Sequence, residues 1–151
     1  MPKELRVNPA TPSDAAEVLV LQRCCWATEA IINSDLGIPA LSEPLAEVQA
    51  WLPRAWVIRD GARLIGAVRA HRDGDTWQIG RLMVAPDRQG QGIGRRLLAH
   101  AESQAPAGTV SFELFTGALS QRNLELYRRA GYQEVDRVDG LVYLRKPREL
   151  A

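Results

Sequence analysis

The sequence is short of cysteine, of lysine and of long apolar runs, and each shortage excludes a class of protein. The two cysteines, Cys24 and Cys25, are adjacent, so they cannot supply the spacing of a zinc site or of a disulfide framework. This usage fits a reducing compartment. No stretch approaches the roughly eighteen apolar residues of a membrane-spanning helix, and the first residues lack the apolar core of a secretory signal. We therefore expect a cytoplasmic protein that needs no metal and contacts no membrane.

Positive charge is carried almost entirely by arginine. Among 19 basic residues lysine occurs at Lys3 and Lys146 alone, and the net charge is +1. A guanidinium group binds phosphate through two hydrogen bonds more readily than an ammonium group does, although genome-wide codon usage explains the same bias without any function. A net charge so close to zero gives no support to a nucleic-acid partner.

The 151 residues are expected to form one α/β domain over 1–151, because the length suits a single core and no linker or repeat interrupts it. Two Asp-Gly pairs, at residues 60–61 and 73–74, separate three apolar or alternating runs and predict an antiparallel meander. Strands are predicted near residues 4–11, 55–59, 63–71, 76–84, 109–116 and 141–146, and helices near 14–33, 43–52, 92–104 and 120–131. Elements in this order predict a mixed sheet flanked by helices.

The stretch "DRQGQGIGRRLLAH" places Gly90, Gly92 and Gly94 between an apolar strand and a helix. Free N–H groups and the dipole at a helix N-terminus attract anions, and glycine lets a ligand approach the backbone closely. A Walker loop is excluded because Arg95 and Arg96 follow Gly94, and a dinucleotide fingerprint is excluded because Arg95 stands where its third glycine belongs. The segment predicts an anion site; the alternative is a plain flexible turn.

The residues around this segment resemble the Gcn5-related N-acetyltransferase (GNAT) superfamily. The run from Gln89 to Gly94 looks like the family's Gln/Arg-x-x-Gly-x-Gly/Ala signature, and "LMVAPDRQ" looks like its fourth strand. Further on, "SQRNLELYRRAGYQEV" is similar to the family's Asn-x-x-x-Tyr-x-x-x-Gly-Tyr/Phe segment. The resemblance covers nearly the whole chain and implies a mostly antiparallel central sheet flanked by helices.

The resemblance also implies acetyl-CoA as acetyl donor, with no metal. In such proteins the pyrophosphate lies on the main-chain N–H groups of the signature loop, with nearby cations, and the pantetheine arm runs along the fourth strand. An asparagine contacts the cofactor where it leaves the active site. The implied cofactor-binding residues are Leu82, Met83, Val84, Arg88, Gln89, Gly90, Gln91, Gly92, Ile93, Gly94, Arg95 and Asn123.

Tyr127 matches the family tyrosine that lies near the thioester sulfur. A phenol is almost fully protonated at pH 7, so it can protonate the departing thiolate. The alternative for Tyr127 is a core aromatic at helical spacing from Leu124. A main-chain N–H near Val84 would polarise the thioester carbonyl and stabilise the developing oxyanion.

The general base is less clearly marked. Many relatives carry a glutamate on the fourth strand, where this chain has Gln78, an amide that cannot accept the proton. Glu113 on the neighbouring strand is one candidate, and its alternative role is as the ion-pair partner of an arginine. Glu29 and a chain of water molecules are further candidates, whereas His71 and His100 are expected to be surface residues.

The leading hypothesis is an N-acetyltransferase in which an amine attacks acetyl-CoA directly in a ternary complex. The absence of a glutamate at Gln78 keeps a non-catalytic acyl-CoA-binding module as the alternative. The acceptor, a small-molecule or peptide amine, would be set by residues 23–44, which mix apolar bulk with acidic residues. A covalent acyl-enzyme on Cys24 or Cys25 is disfavoured relative to core packing, and a homodimer stays open.

Overall fold

Three antiparallel strands joined by tight turns form the centre of the molecule, as the two Asp-Gly pairs predict. The computed structural model describes residues 5–149, in which β2 is Ala55–Asp60, β3 is Arg63–Asp73 and β4 is Thr76–Val84. Gly61 and Gly74 have φ values of 60° and 62°, which lie in the left-handed region that these turns require.

Four more strands extend this meander into one seven-stranded sheet. They are β1 (Val7–Pro9), β5 (Ser111–Gly117), β6 (Gln133–Val138) and β7 (Leu141–Pro147), and the order is β1-β2-β3-β4-β5-β7-β6. Within residues 5–149, β4 and β5 are the one parallel pair, and every other neighbouring pair is antiparallel. The predicted mixed, mostly antiparallel sheet is therefore confirmed.

Helices cover both faces of the sheet. The described elements are α1 (Ala15–Asn33), α2 (Pro39–Ser42), α3 (Leu45–Trp51), α4 (Ile93–Ser103) and α5 (Gln121–Arg129). The first three cover one face, and α4 packs on the other so closely that a Cβ at Gly66 would lie 2.9 Å from Leu97 Cδ1. Gly131, with φ 99°, ends α5, and the N–H of Tyr132 donates to the carbonyl of Tyr127 at 3.0 Å. This is a Schellman cap, so the predicted role of Gly131 is confirmed.

The structure differs from the sequence prediction at β6 and α2. All six residues of β6 are exposed, so the strand lacks the apolar alternation by which a half-buried strand is detected. It is the edge strand of the sheet, paired with β7 alone among the described strands. The segment containing α2 was predicted as a turn-rich connection, and a four-residue helix beginning at Pro39 is too short to show a periodic pattern.

A bulge in β4 and a split beside it create the site described below. Ala67 pairs with Met83 and Arg69 with Gly80, so β4 contains one extra residue between those pairs. Arg81 occupies the bulge with φ 48°, which is uncommon for a residue with a side chain. The parallel pairing of β4 with β5 covers residues 76–78 and 111–113 alone, so the later part of β4 has an open edge. A bulge bends its strand and increases the twist, which accounts for the separation.

Candidate active site

The glycine segment forms a loop with unpaired main-chain donors. Gly90 and Gly92 both have φ 80°, and a Cβ at Gly90 would meet no atom within 4 Å, so the loop faces open space. No N–H group of residues 89–95 donates to another atom in the part of the chain that the structure describes. This cradle, residues 89–95, therefore presents a row of donors at the N-terminus of α4, as an anion site requires.

The arginines beside the cradle have different surroundings. Arg88 donates to Asp60 at 2.9 Å and to the Gln91 side chain at 3.1 Å, so its guanidinium braces the loop. Arg95 is exposed and forms no ion pair with any described residue, and its Nη2 would lie 3.9 Å from a Cβ on Gly92. Of the two cations predicted to bind the cofactor, Arg95 is therefore the better placed.

The open edge of β4 exposes the main chain of Val84. Ala85 donates its N–H to Ile65 of β3 at 2.8 Å, and alternation along the strand turns the N–H and carbonyl of Val84 away from β3. The Val84 carbonyl accepts from Cys25 Sγ at 3.2 Å, whereas no described atom accepts from its N–H. Met83 pairs with Ala67, and the same alternation turns its polar groups toward β3. Val84 is thus better placed than Met83 to bind a ligand along this edge.

Tyr127 is buried beside an acidic side chain. Its ring packs edge-on against Tyr132 at 6.2 Å, and its hydroxyl has no hydrogen-bond partner within residues 5–149. Burial, and then the nearby carboxylate of Glu29, raise the pKa of Tyr127 well above its ordinary value. The phenol therefore remains a proton donor through the whole neutral and alkaline range in which enzymes work.

A polar cluster joins α1 to the beginning of α5 around this tyrosine. Asn123 Nδ2 donates to Thr116 Oγ1 at 3.2 Å and to Glu29 Oε1 at 3.4 Å, and the Ser120 hydroxyl donates to the other Glu29 oxygen. The structure thus brings together Asn123, Tyr127 and Glu29, which lie far apart in the sequence. Among the candidate bases, Glu29 is the one that lies near Tyr127.

Glu113 is held in an ion pair. Arg145 donates to it at 2.7 Å, and Gln78 Nε2 lies 3.5 Å from its other oxygen. This is the alternative role named for Glu113, and it must release Arg145 before it can accept a proton from an amine. His71 is exposed, as predicted, and His100 is half-buried against the Trp56 ring at 5.8 Å. Burial lowers the pKa of both histidines.

Sequence reasoning missed a buried network centred on Glu43. Its carboxylate accepts from Trp51 Nε1 at 2.8 Å, from Arg81 at 3.0 Å and from Gln22 at 3.1 Å. Burial opposes ionisation of Glu43, but these hydrogen bonds outweigh it and hold its pKa below the ordinary value. The bulge in β4 turns Arg81 into this network, and the side chain also lies over the Trp26 ring at 5.9 Å. The sequence carried no signal for a bulge.

Two other kinds of site are absent from the described residues. No group of three or more potential metal ligands occurs in residues 5–149. No helix in the same range has the length and apolar character needed to cross a bilayer.

The described residues combine a sheet that splits between β4 and β5 with a loop of free main-chain donors just beyond the end of β4. The sequence profile described as "Acetyltransferase (GNAT) domain" matches residues 52–134, which is more than half of the chain. The chain therefore belongs to the GNAT acetyltransferase family, and the predicted family and the predicted class, an acyltransferase, are confirmed. The prediction of acetyl-CoA as donor is consistent with this membership.

Two individual relatives align with most of the chain. The chain is 34% identical over 128 residues to "UPF0157 protein YqkA" of Bacillus subtilis, an alignment that spans 82% of this chain and 36% of that protein. It is 31% identical over 102 residues to "IAA acetyltransferase" of Azospirillum brasilense, over 64% of this chain and 67% of that one. This chain thus spans about a third of the Bacillus relative.

A solved structure shares the fold. The paia N-acetyltransferase from Thermoplasma acidophilum, solved in complex with coenzyme A, has a TM-score of 0.84 and 14% identity, with 97% of this chain and 100% of that chain covered. At this identity the likeness establishes the fold alone.

Proposed function

We propose that this chain transfers the acetyl group of acetyl-CoA to a primary amine by direct attack in a ternary complex. The proposal rests mainly on the cradle. The N–H groups of residues 89–95, seven in a row, have no acceptor among the described residues. These donors suit the pyrophosphate of acetyl-CoA, and the guanidinium of Arg95 adds a positive charge beside them.

The open edge of β4 suits the rest of the donor. A chain containing amide groups can run beside Val84 in the manner of an added strand and bond to its free N–H. The same N–H suits the carbonyl oxygen of the thioester, where it would stabilise negative charge as the amine adds. Asn123, which donates to Thr116 of β5 and to Glu29 of α1, is proposed as the contact where the cofactor leaves the active site.

Tyr127 is proposed as the general acid. When the bond between carbonyl carbon and sulfur breaks, the sulfur leaves with the electron pair, and the Tyr127 hydroxyl donates a proton to it. This hydroxyl is well suited to the role because it has no other partner in residues 5–149 and because burial keeps it protonated. The proton lost by the amine passes to solvent, directly or by way of the Glu29 carboxylate.

A non-catalytic acyl-CoA-binding module is the second candidate. It is favoured by Gln78 at the usual base position and by the ion pair that occupies Glu113. Binding without turnover would require the cradle and the open edge alone, whereas Tyr127 would be dispensable.

A thermal melt combined with an assay of CoA release separates these functions. A ligand at a hundred times its dissociation constant stabilises by about 2.7 kcal/mol, which raises the Tm of a chain of this size by roughly 5–10 °C. We expect this rise with acetyl-CoA and none with ATP or NAD. Release of CoA in the presence of a panel of primary amines would establish catalysis. A rise in Tm without release would favour the binding module, and no rise would overturn both.

A further inference from the structure

A small cavity opens beside the bulge of β4. Its volume is about 210 Å³, and its walls are Trp51, Arg54, Arg69, Ala70 and His71. Arg69 lies opposite Gly80, the residue before the bulge, so the cavity adjoins the segment of β4 that leads to the open edge. It lies on the face that α1, α2 and α3 cover, beside the residue of β4 that precedes the bulge.

The positive charge in this cavity is not matched by acid. The Arg69 guanidinium lies 5.2 Å from the centre of the Trp51 ring. Neither the Arg69 side chain nor the Arg54 side chain forms an ion pair or hydrogen bond with any residue in the range 5–149. The Glu43 carboxylate attracts the Arg69 guanidinium electrostatically, but Glu43 already accepts a hydrogen bond from Arg81 at 3.0 Å.

The surroundings disfavour the charged form of Arg69. Burial, and then repulsion from Arg81, lower the pKa of Arg69 to about 10; Glu43 opposes this, and Arg54 adds to it. Burial, Arg69 and Arg54 likewise lower the pKa of His71, against the attraction of Asp73. An anion that enters such a cluster is attracted by every cation facing it and relieves their mutual repulsion.

We infer that this cavity is an acceptor subsite, and that the amine acetylated by this chain carries a carboxylate that binds Arg69 and Arg54. The inference rests on the proposed acetyl transfer. Because Gly80 has no side chain, the approach to Arg69 is open. A Cβ at this position would be in van der Waals contact with Arg69 Nε, at 3.7 Å. Gly80 and Val84 lie on either side of the bulge with three residues between them, so the amine and the carboxylate are joined by a spacer of several atoms rather than by one carbon.

Three probes of matched length test this specificity: 6-aminohexanoate, hexylamine and 1,6-diaminohexane. We expect kcat/KM for 6-aminohexanoate to exceed that for hexylamine by about tenfold, as a charge-assisted contact provides, and 1,6-diaminohexane to be the poorest. Arg69→Gln and Arg54→Gln should remove this preference and leave hexylamine unchanged. Arg129→Gln, an exposed arginine on α5, is the matched control and should keep the preference. Because Arg54 is exposed, its substitution keeps the test valid even if Arg69→Gln fails to fold.

A binding measurement separates failure of this inference from failure of the proposed function. Titration with 6-aminohexanoate should change tryptophan fluorescence saturably, because Trp51 lines the cavity, and Arg54→Gln should abolish the change. Saturation without any CoA release would keep the subsite and overturn the transfer. Acetylation of all three amines at similar rates, or equal losses for all three in the arginine variants, would overturn the subsite while the transfer stands.

Discussion

The proposed donor site and the proposed acceptor side are built from different chemistry. The cradle consists of main-chain N–H groups at positive-φ glycines, and its contacts do not depend on which side chains stand there. Across the bulge, the network of Glu43, Arg81 and Trp51 consists of buried and half-buried side chains whose charges and hydrogen bonds depend on one another. One side can serve a constant ligand, whereas the other can change with the acceptor.

The bulge of β4 is where the two sides meet. Before the bulge, Gly80 pairs with Arg69, which lines the cavity. After the bulge, the N–H of Val84 points to the open edge. The extra residue thus separates the part of β4 beside the proposed acceptor subsite from the part that would bind the donor.

The largest effect is expected from Tyr127→Phe. Loss of the proton donor should lower kcat by about 10² or more, while the Kd for acetyl-CoA changes little because the ring and its packing remain. Steady-state kinetics and a binding titration measure the two quantities. Tyr132→Phe is the control, since Tyr132 donates to Glu102 at 2.8 Å, away from the open edge. Unchanged kcat in Tyr127→Phe would remove this residue from the mechanism.

Gly90→Val breaks the donor side alone. A side chain in the left-handed region costs about 1–2 kcal/mol, so the loop should leave its cradle conformation and the Kd for acetyl-CoA should rise by about five- to thirtyfold. Gly108→Val is a matched control: Gly108 also has positive φ, 88°, with no atom within 4 Å of its Cβ position. Both variants should lose similar stability in a denaturant melt. Equal loss of acetyl-CoA affinity in both would contradict the cradle.

Glu43→Gln breaks the acceptor side. It leaves the half-buried charge of Arg81 without its partner, and we expect a loss of about 3 kcal/mol in the free energy of unfolding, with the Kd for acetyl-CoA unchanged. Because the pKa of Glu43 is lowered in the folded state, its contribution is present above the ordinary value of 4.5 and is lost as the pH falls through and below it. The difference in the free energy of unfolding between wild type and Glu43→Gln should therefore shrink from pH 7 to pH 3. A constant difference would mean that the carboxylate charge does not contribute.

The smallest effect is expected from Cys25→Ala. Burial raises the pKa of the Cys25 thiol to about 11, so the group is a thiol rather than a nucleophilic thiolate at neutral pH. Turnover should stay within about threefold of wild type, given that one weak hydrogen bond to Val84 is lost. Wild-type stability should decline as the pH rises above the ordinary value of 9.0, and the variant should lack that component. A covalent acyl-enzyme would instead make this variant inactive.

The donor side could be predicted from the sequence because its features are local. Gly90 and Gly92 follow an apolar strand and precede a helix, and this order predicts a loop of free N–H groups at the helix N-terminus. The Asp-Gly turns and the glycine that ends α5 are local in the same sense. Each depends on the conformational preferences of a few consecutive residues.

The acceptor side could not be predicted because it depends on register between distant segments. Arg81 reaches Glu43 only because β4 contains a bulge, and a bulge is a property of two paired strands rather than of one. Likewise Glu29 meets Asn123 through the packing of α1 against the beginning of α5. The exposed β6 escaped detection for a related reason, since its pairing with β7 leaves no periodic pattern.

The short parallel pairing of β4 with β5 also bears on how the molecule opens. In the sheet itself, three residue pairs connect the first four strands to the last three. A ligand along the open edge would supply main-chain partners beyond those pairs and act as a clamp between the two half-sheets. We therefore expect amide hydrogen exchange to reveal two units of unequal protection without acetyl-CoA, and a single cooperative unit when acetyl-CoA is bound. Catalytic competence and the mechanical integrity of the sheet would then depend on the same occupant.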